Sequence, residues 1–288
     1  MASIQPDGRA VRQAFAQASE RAAELARAAA PLDGPVPGLE WTKAQLIMHL
    51  CAICAAFAAT LRGQDLAELF GAEFIGSYGS GGTLPEAVAA INSRVVKDAS
   101  FPTPAAAADA LTSGAAALLA AFSTHDSVSA LHPAPWYGPE VALPAGSLMA
   151  IAVSEFLVHG YDLARAVGAD LRPSAVTAAS ATVVTGAVMS EMLPRLLTKR
   201  TAGGFTGSFE IRVRGGDRFI LRIADGRAWS EAAGRLPVDC ILSLSGYYAL
   251  LMGFNRIPVW RAIASGRARA FGRRPWLGLR FSNLFPSA

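Results

Sequence analysis

Cysteine is scarce in this chain. There are three, Cys51, Cys54 and Cys240, in 288 residues. An odd number in so large a chain excludes a disulfide framework and fits a reducing compartment. Charge is sparse as well: 17% of residues are charged against 52% hydrophobic, and the mean hydropathy is +0.33. Even so, no segment reads as a membrane span. The uncharged run 173–190 is dominated by Ala, Thr, Ser and Val, and is shorter than the roughly 20 strongly apolar residues a span needs. A secretory leader is not expected, because Asp7, Arg9 and Arg12 sit where its apolar core would be. The expected location is cytoplasmic. Histidine is scarce too, with four in the chain and none after His159. Any histidine-based site must therefore be built by the first two-thirds of the sequence. A phosphate loop is also missing: the segment with Gly76, Gly79, Gly81 and Gly82 lacks a closing Gly-Lys-Ser/Thr and no strand precedes it.

What charge there is falls unevenly. Residues 200–288 hold 14 arginines and 5 acidic side chains, a balance of +9, whereas residues 1–199 carry −5. Two domains of opposite sign fit that asymmetry. A basic half suits nucleic acid, an anionic surface or an anionic small molecule. Its arginines are scattered through strands and turns without a recognition motif, so a nucleic-acid role is not expected. A solvated face in contact with an acidic neighbour is the plainer alternative.

Helices come first. One is predicted from Gly8 to Ala30, with Val11, Phe15, Ala18, Ala22 and Leu25 on one stripe, ended by a Pro/Gly-rich link over Pro31–Gly38. Thr42-Lys43-Ala44-Gln45 is a capping box opening a helix to Gly63. Thr83-Leu84-Pro85-Glu86 and Thr103-Pro104 open two more. Ser123 to Ala145 reads as a loop containing His125 and His132, whose plainest reading is exposed loop histidines. A helix from Ser147 to Val167 and another from Pro173 to Leu197 complete a four- or five-helix bundle. After Thr198 the period changes to two. Phe209, Ile211 and Val213 alternate, Gly215-Gly216-Asp217 turns, and Phe219, Leu221 and Ile223 alternate again. A strand at Val238–Leu244, helices at Tyr247–Phe254 and Pro258–Ser265, a strand around Arg269–Phe271 and a helix from Pro275 make an α+β domain.

Candidate chemistry gathers on two of the helices. Glu155 and His159 are four apart in an otherwise apolar helix, so they share a face. His49 lies about two turns into another apolar helix, on a stripe with Leu46, Ile53 and Phe57. Glu155, His159 and Asp162 on one apolar stripe are costly to bury unless paired or metal-bound. Two imidazoles and a carboxylate from two helices make a three-ligand metal site with one position open, as catalytic zinc sites have. The alternative is an ordinary i,i+4 Glu–His pair with His49 as a core histidine. Cys51 and Cys54 form a CxxC, but neither shares the helix face of His49, and buried inert thiols are the expectation.

The residues Trp41-Thr42 leading to His49-Leu50, Pro135-Trp136-Tyr137-Gly138, and Glu155-Phe156-Leu157-Val158-His159-Gly160-Tyr161-Asp162-Leu163 resemble the mycothiol-dependent maleylpyruvate isomerase family. That family is part of the wider DinB-like metal-binding bundles. Asp239 to Phe271, with Gly246, Trp260-Arg261 and Ser265-Gly266-Arg267, is similar to a sterol-carrier-protein-like domain. Tyr161 stands where such sequences often have Trp. The resemblance implies residues 1–198 as a DinB-like metal-binding bundle and 199–288 as an α+β sterol-carrier-protein-like domain. It implies His49, Glu155 and His159 as ligands of Zn2+ or another divalent metal, with Asp162 orienting an imidazole. Arg261, Arg267 and Arg269 are candidates to hold an anionic substrate by bidentate pairs. The implied activity is thiol addition to an electrophile, with mycothiol as cosubstrate and maleylpyruvate-type cis–trans isomerisation as the outcome. Alternatives are a mycothiol S-transferase, a metal-dependent hydrolase with Asp162 or Glu140 as base, or a carrier or sensor of hydrophobic ligands built on Leu244, Leu250, Leu251 and Phe254. The implied partners are small molecules only, with the protein a monomer or homodimer.

Overall fold

A computed structural model describes residues 3–71, 83–125, 127–234 and 237–285. The glycine-bearing segment containing Gly76, Gly79, Gly81 and Gly82 lies outside the described residues. The helical part comprises α1 (Gly8–Arg27), α2 (Lys43–Leu61), a short α3 (Leu66–Phe70), α4 (Leu84–Val96), α5 (Pro104–Ser123), α6 (Ala145–Ala166) and α7 (Ala175–Leu196). α1 packs against α5, α6 and α7, while α2 packs against α4, α5 and α6.

Local chemistry sets where these helices begin. The Asp7 carboxylate accepts from the amides of Arg9 and Ala10 to open α1. At α2 the Gln45 amide donates to the Thr42 hydroxyl and the Thr42 amide donates to the Gln45 side chain, the expected capping box. The predicted apolar stripe of α1, from Val11 to Leu25, is buried throughout. Phe15 from that stripe meets Phe156 of α6 edge to face, with centroids 5.1 Å apart, a geometry that adds about 0.5–1.5 kcal/mol to the area term. Every residue of α6 from Ala145 to Ser154 is buried. This central helix is therefore fixed in rotation by packing alone, before any polar contact is counted.

The segment expected to be loop between α5 and α6 contains a small antiparallel hairpin, β1 (Leu131–Pro133) and β2 (Ala142–Pro144), spanned by a helical turn at Pro135–Tyr137. Its strands are three residues long and proline-rich, too short for periodicity to register. Its turn carries Trp136, which stacks on Phe57 of α2 with centroids 5.0 Å apart.

By length and composition alone, Lys43–Leu61, Pro104–Ser123 and Ala175–Leu196 are long and apolar enough to cross a membrane. The run 173–190, read as too short and too polar, lies largely in the third of these. All three helices pack within the bundle.

After the short α8 (Lys199–Ala202) a five-stranded sheet follows: β3 (Gly207–Val213), β4 (Arg218–Ala224), β5 (Arg227–Ala232), β6 (Cys240–Leu244) and β7 (Ala268–Phe271), in the order β5-β4-β3-β6-β7. β3 and β6 run parallel, the other pairs antiparallel. α9 (Gly246–Gly253) and α10 (Val259–Ala264) connect β6 to β7, and α11 (Leu277–Leu284) closes the chain. The bundle and the α+β part meet along α7, which packs against α9 and the first three strands of the sheet. Gly186 allows that contact. A Cβ there would stand 2.6 Å from the Cβ of Asp217 in the β3–β4 turn. Gly186→Val should therefore destabilise the protein by at least about 1–3 kcal/mol through overpacking, visible as a lower midpoint in urea unfolding.

Candidate metal centre

α2 delivers His49 and α6 delivers Glu155 and His159 to one point. One donor atom from each lies within 4.8 Å of the others. Nε2 of His49 is 3.4 Å from Oε2 of Glu155, and Nε2 of His159 is 3.3 Å from the same oxygen. The imidazoles are nearly perpendicular, at 87°, so their nitrogens approach the carboxylate from different directions. Donors bound at ~2.1 Å to one tetrahedral ion stand about 3.4 Å from each other. The two separations to Glu155 meet that spacing, and the set of two imidazoles and one carboxylate suits zinc. These three residues could hold a divalent cation.

Behind them lies a buried chain of hydrogen bonds. Nδ1 of His159 donates to Oδ2 of Asp162 at 2.9 Å, so Nε2 is the ring nitrogen turned toward Glu155. Asp162 is fully buried. It also accepts from Nε of Arg256, at 2.8 Å to Oδ1 and 3.0 Å to Oδ2. Arg256 sits just after α9 and donates as well to the carbonyl of Phe254. The α+β part thus reaches the centre through this arginine. Trp41 covers the other side, with ring centroids 5.0 Å from His49 and 6.2 Å from His159.

The electrostatics follow from burial against pairing. Burial holds the His49 imidazole below its ordinary range, and the nearby His159 adds to this, against a hydrogen bond to Glu155 that pulls upward. His159 is also desolvated, but its hydrogen bonds to Asp162 and Glu155 together outweigh burial and raise it. Burial pushes the Glu155 and Asp162 carboxyls up. Hydrogen bonds from both histidines overcome this at Glu155, those from His159 and Arg256 overcome it at Asp162, and both carboxyls end below the usual carboxylate range. Metal binding requires both imidazoles neutral and Glu155 ionised: His49 and Glu155 already lean that way, whereas an ion would have to displace the proton that His159 holds against Glu155.

Two cavities meet at Glu155. A cavity of about 760 Å³ lies between α6, α7 and the α+β part, and Glu155 is on its wall. A narrow cleft of about 80 Å³ opens on the His49 side, lined by Phe57, Trp136 and Glu155 among others.

The remaining sequence candidates fall in different places. Of the three arginines proposed to hold substrate, all exposed, Arg269 lines the large cavity. Arg261 and Arg267 are exposed and not among the described residues lining it; the Arg267 guanidinium lies 5.0 Å over Tyr248. Glu140 is exposed and lines neither cavity. His125 and His132 pack on each other with centroids 4.6 Å apart, and Nε2 of His125 is 2.8 Å from the carbonyl oxygen of Leu61. Neither joins the cluster. Burial pushes the Cys51 thiol up to about 11, and it pushes Cys54 up further with the help of its neighbour. Two such thiols are poor nucleophiles at neutral pH. Arg256 was missed from sequence, since it is one of 14 arginines in its region and its partner lies 94 residues away.

Fold and site together define a class: a helical bundle that gathers a His₂Glu donor set from two helices, joined to an α+β part that supports the set from behind. Residues 11–164 match the family described as the mycothiol maleylpyruvate isomerase N-terminal domain. The chain belongs to that family. Among solved structures, a histidine-to-alanine mutant of a mycothiol-dependent maleylpyruvate isomerase is similar at 12% identity and a TM-score of 0.50, covering 92% of each chain. The same enzyme without that description matches at 13% identity and a TM-score of 0.49, again over 92% of each chain. At such identity the likeness is one of fold. A sec-alkylsulfatase from Pseudomonas sp. matches 50% of this chain and 27% of its own at a TM-score of 0.31, too low to support an argument. No curated protein gives a match.

Proposed function

We propose that this protein is a metal-dependent enzyme that activates a low-molecular-weight thiol, mycothiol, for addition to an electrophile, with maleylpyruvate-type cis–trans isomerisation as the reaction. Residues 1–198 serve as the DinB-like metal-binding unit and 199–288 as a sterol-carrier-protein-like unit. The reading rests on one observation above the others: His49, Glu155 and His159 gather at one point, and Glu155 of that set is on the wall of a substrate-sized cavity. A bound divalent cation, zinc by the donor set, supplies a positive charge that favours thiolate over thiol.

The chain's own residues supply the rest. His49, Glu155 and His159 hold the cation. Asp162 keeps the His159 ring in one tautomer and one orientation, and Arg256 keeps Asp162 in place. Trp41 packs over the two imidazoles and shields them on that side. In the reaction the thiolate sulfur forms a bond to the β-carbon of a cis double bond conjugated to a carbonyl, and the π pair moves to the carbonyl oxygen. The former double bond is now single and rotates. The oxygen pair then returns, the C–S bond breaks and the thiolate leaves, so thiol is neither consumed nor oxidised. Arg269, as a cation on the cavity wall, is placed to stabilise negative charge on the substrate. Were the adduct protonated at the α-carbon instead, the same site would act as an S-transferase. The cavity also favours a second reading, carriage of a hydrophobic ligand, but a carrier gives no role to Glu155 at its wall. Three free cysteines, two of them buried, agree with work in a reducing cytoplasm.

Turnover tests the reading directly. Zinc-loaded protein should isomerise a maleylpyruvate-type substrate only when thiol is added, and a chelator should abolish the rate. Cleavage products formed equally with and without thiol would favour hydrolysis. Ligand binding with no chemistry under any condition would favour carriage.

A further inference from the structure

The large cavity has room and apolar wall beyond what a compact dicarboxylate would fill. At about 760 Å³ it is in the upper part of the range for drug-sized ligands. A small dianion placed there would need two cations and several polar donors on the wall. Among the described lining residues Arg269 is the one cationic side chain, and Glu155 is the one acid. Arg269 has no acidic partner among the described residues, and its cationic neighbours Arg214 and Arg267 strengthen the local positive field. Tyr137, Ser154, Asn255, Ser282 and Asn283 add neutral polar groups, and most of the remaining wall is aliphatic, aromatic or thioether. Met189, Met192 and Met252 contribute flexible, polarizable surface that adapts to an irregular ligand.

The mouth repeats the pattern. Ile263, Trp276 and Leu279 line the cavity and are also 46%, 63% and 69% exposed. Trp260, one turn before Ile263 on α10, is 68% exposed. Apolar side chains left in water around a cavity entrance mark a surface that something apolar crosses or covers.

We propose that this cavity takes an electrophile with a long apolar body and a single carboxylate, the body along the methionine- and leucine-lined wall and the carboxylate on Arg269. To the extent that the bound molecule is a substrate, this rests on the function proposed above. The class of molecule that fits is an unsaturated acyl or aryl-alkyl acid whose conjugated double bond reaches the wall at Glu155.

Calorimetric titration of the full, metal-loaded chain tests it, with dodecanoate, hexanoate, dodecanol and maleate as probes. Dodecanoate should bind at least about a hundredfold more tightly than hexanoate, because the added methylenes are buried. Maleate should bind more weakly than dodecanoate. Arg269→Gln should weaken dodecanoate at least about tenfold and leave dodecanol unchanged. Leu279→Glu, at an exposed position that does not hold the fold together, should weaken both. Dodecanoate binding no tighter than hexanoate, or maleate binding tighter than dodecanoate, would overturn the proposal. Equal losses of dodecanoate and dodecanol on Arg269→Gln would overturn the carboxylate anchor. The same titrations on chelator-treated protein keep this separate from the enzymatic reading: tight dodecanoate binding without thiol-dependent turnover would sink the enzyme and leave the cavity's preference intact. Thiol-dependent turnover without selective dodecanoate binding would do the reverse.

Discussion

Replacing His49 with alanine should empty the centre of metal and lower thiol-dependent turnover by more than about a hundredfold, since losing even a group that only supports a ligand typically costs 10- to 100-fold. His49 is the sole donor that α2 contributes. Without it, Glu155 and His159 remain as two donors on one helix face, and two donors do not close a site that must discriminate and retain an ion. The fold should survive. Alanine is the best helix former, α2 keeps its capping box, and the truncated side chain borders the narrow cleft, where water can enter. Metal per chain, measured by elemental analysis beside circular dichroism of the same sample, decides the matter. Metal retained at the wild-type level would mean that the two histidines and the glutamate are an ordinary buried hydrogen-bonded group.

Asp162→Asn should produce the second large effect, on stability and metal affinity at once. The asparagine matches the shape of the aspartate but carries no charge. Arg256, whose side chain is 12% exposed, would then keep a nearly buried charge without its counter-ion. Breaking a buried pair in this way costs about 3–5 kcal/mol, which for a chain of this size lowers Tm by roughly 10 °C. His159 would at the same time keep only a neutral amide oxygen as acceptor for its Nδ1–H in place of a carboxylate, a weaker hold on the ring, and zinc affinity should fall about 10- to 100-fold. Differential scanning calorimetry and competition with a chelator read the two effects separately. A normal Tm with weakened metal binding would show that Arg256 is not clamped as described. Both quantities unchanged would remove Asp162 from the centre.

Much of the centre was legible because helices report themselves locally. A four-residue spacing places Glu155 and His159 together whatever else the chain does. The apolar residues around them say that the face is buried, and burial of a glutamate and a histidine demands a reason. Capping at Thr42 fixed where α2 begins and so where His49 falls along it. The sheet was legible for a similar reason, since Phe209–Val213 and Phe219–Ile223 alternate strictly around a Gly-Gly-Asp turn. What could not be read was contact between distant elements. Nothing near Arg256 marks it out from Arg261, Arg267 or Arg269, because its role depends on how α9 docks against α6 and α7. The hairpin that carries Trp136 was hidden by its length. The apolar cavity was hidden for a different reason: Leu244, Leu250 and Phe254 show the same pattern whether they fill a core or line a void.

X-ray absorption at the zinc edge, recorded before and after addition of the thiol, tests the centre most directly. The expected result is a first shell of nitrogen and oxygen alone in the resting protein, with one sulfur scatterer at about 2.3 Å appearing once thiol is present. A shell that gains no sulfur at saturating thiol, or a zinc signal that persists unchanged in the His49→Ala protein, would contradict it.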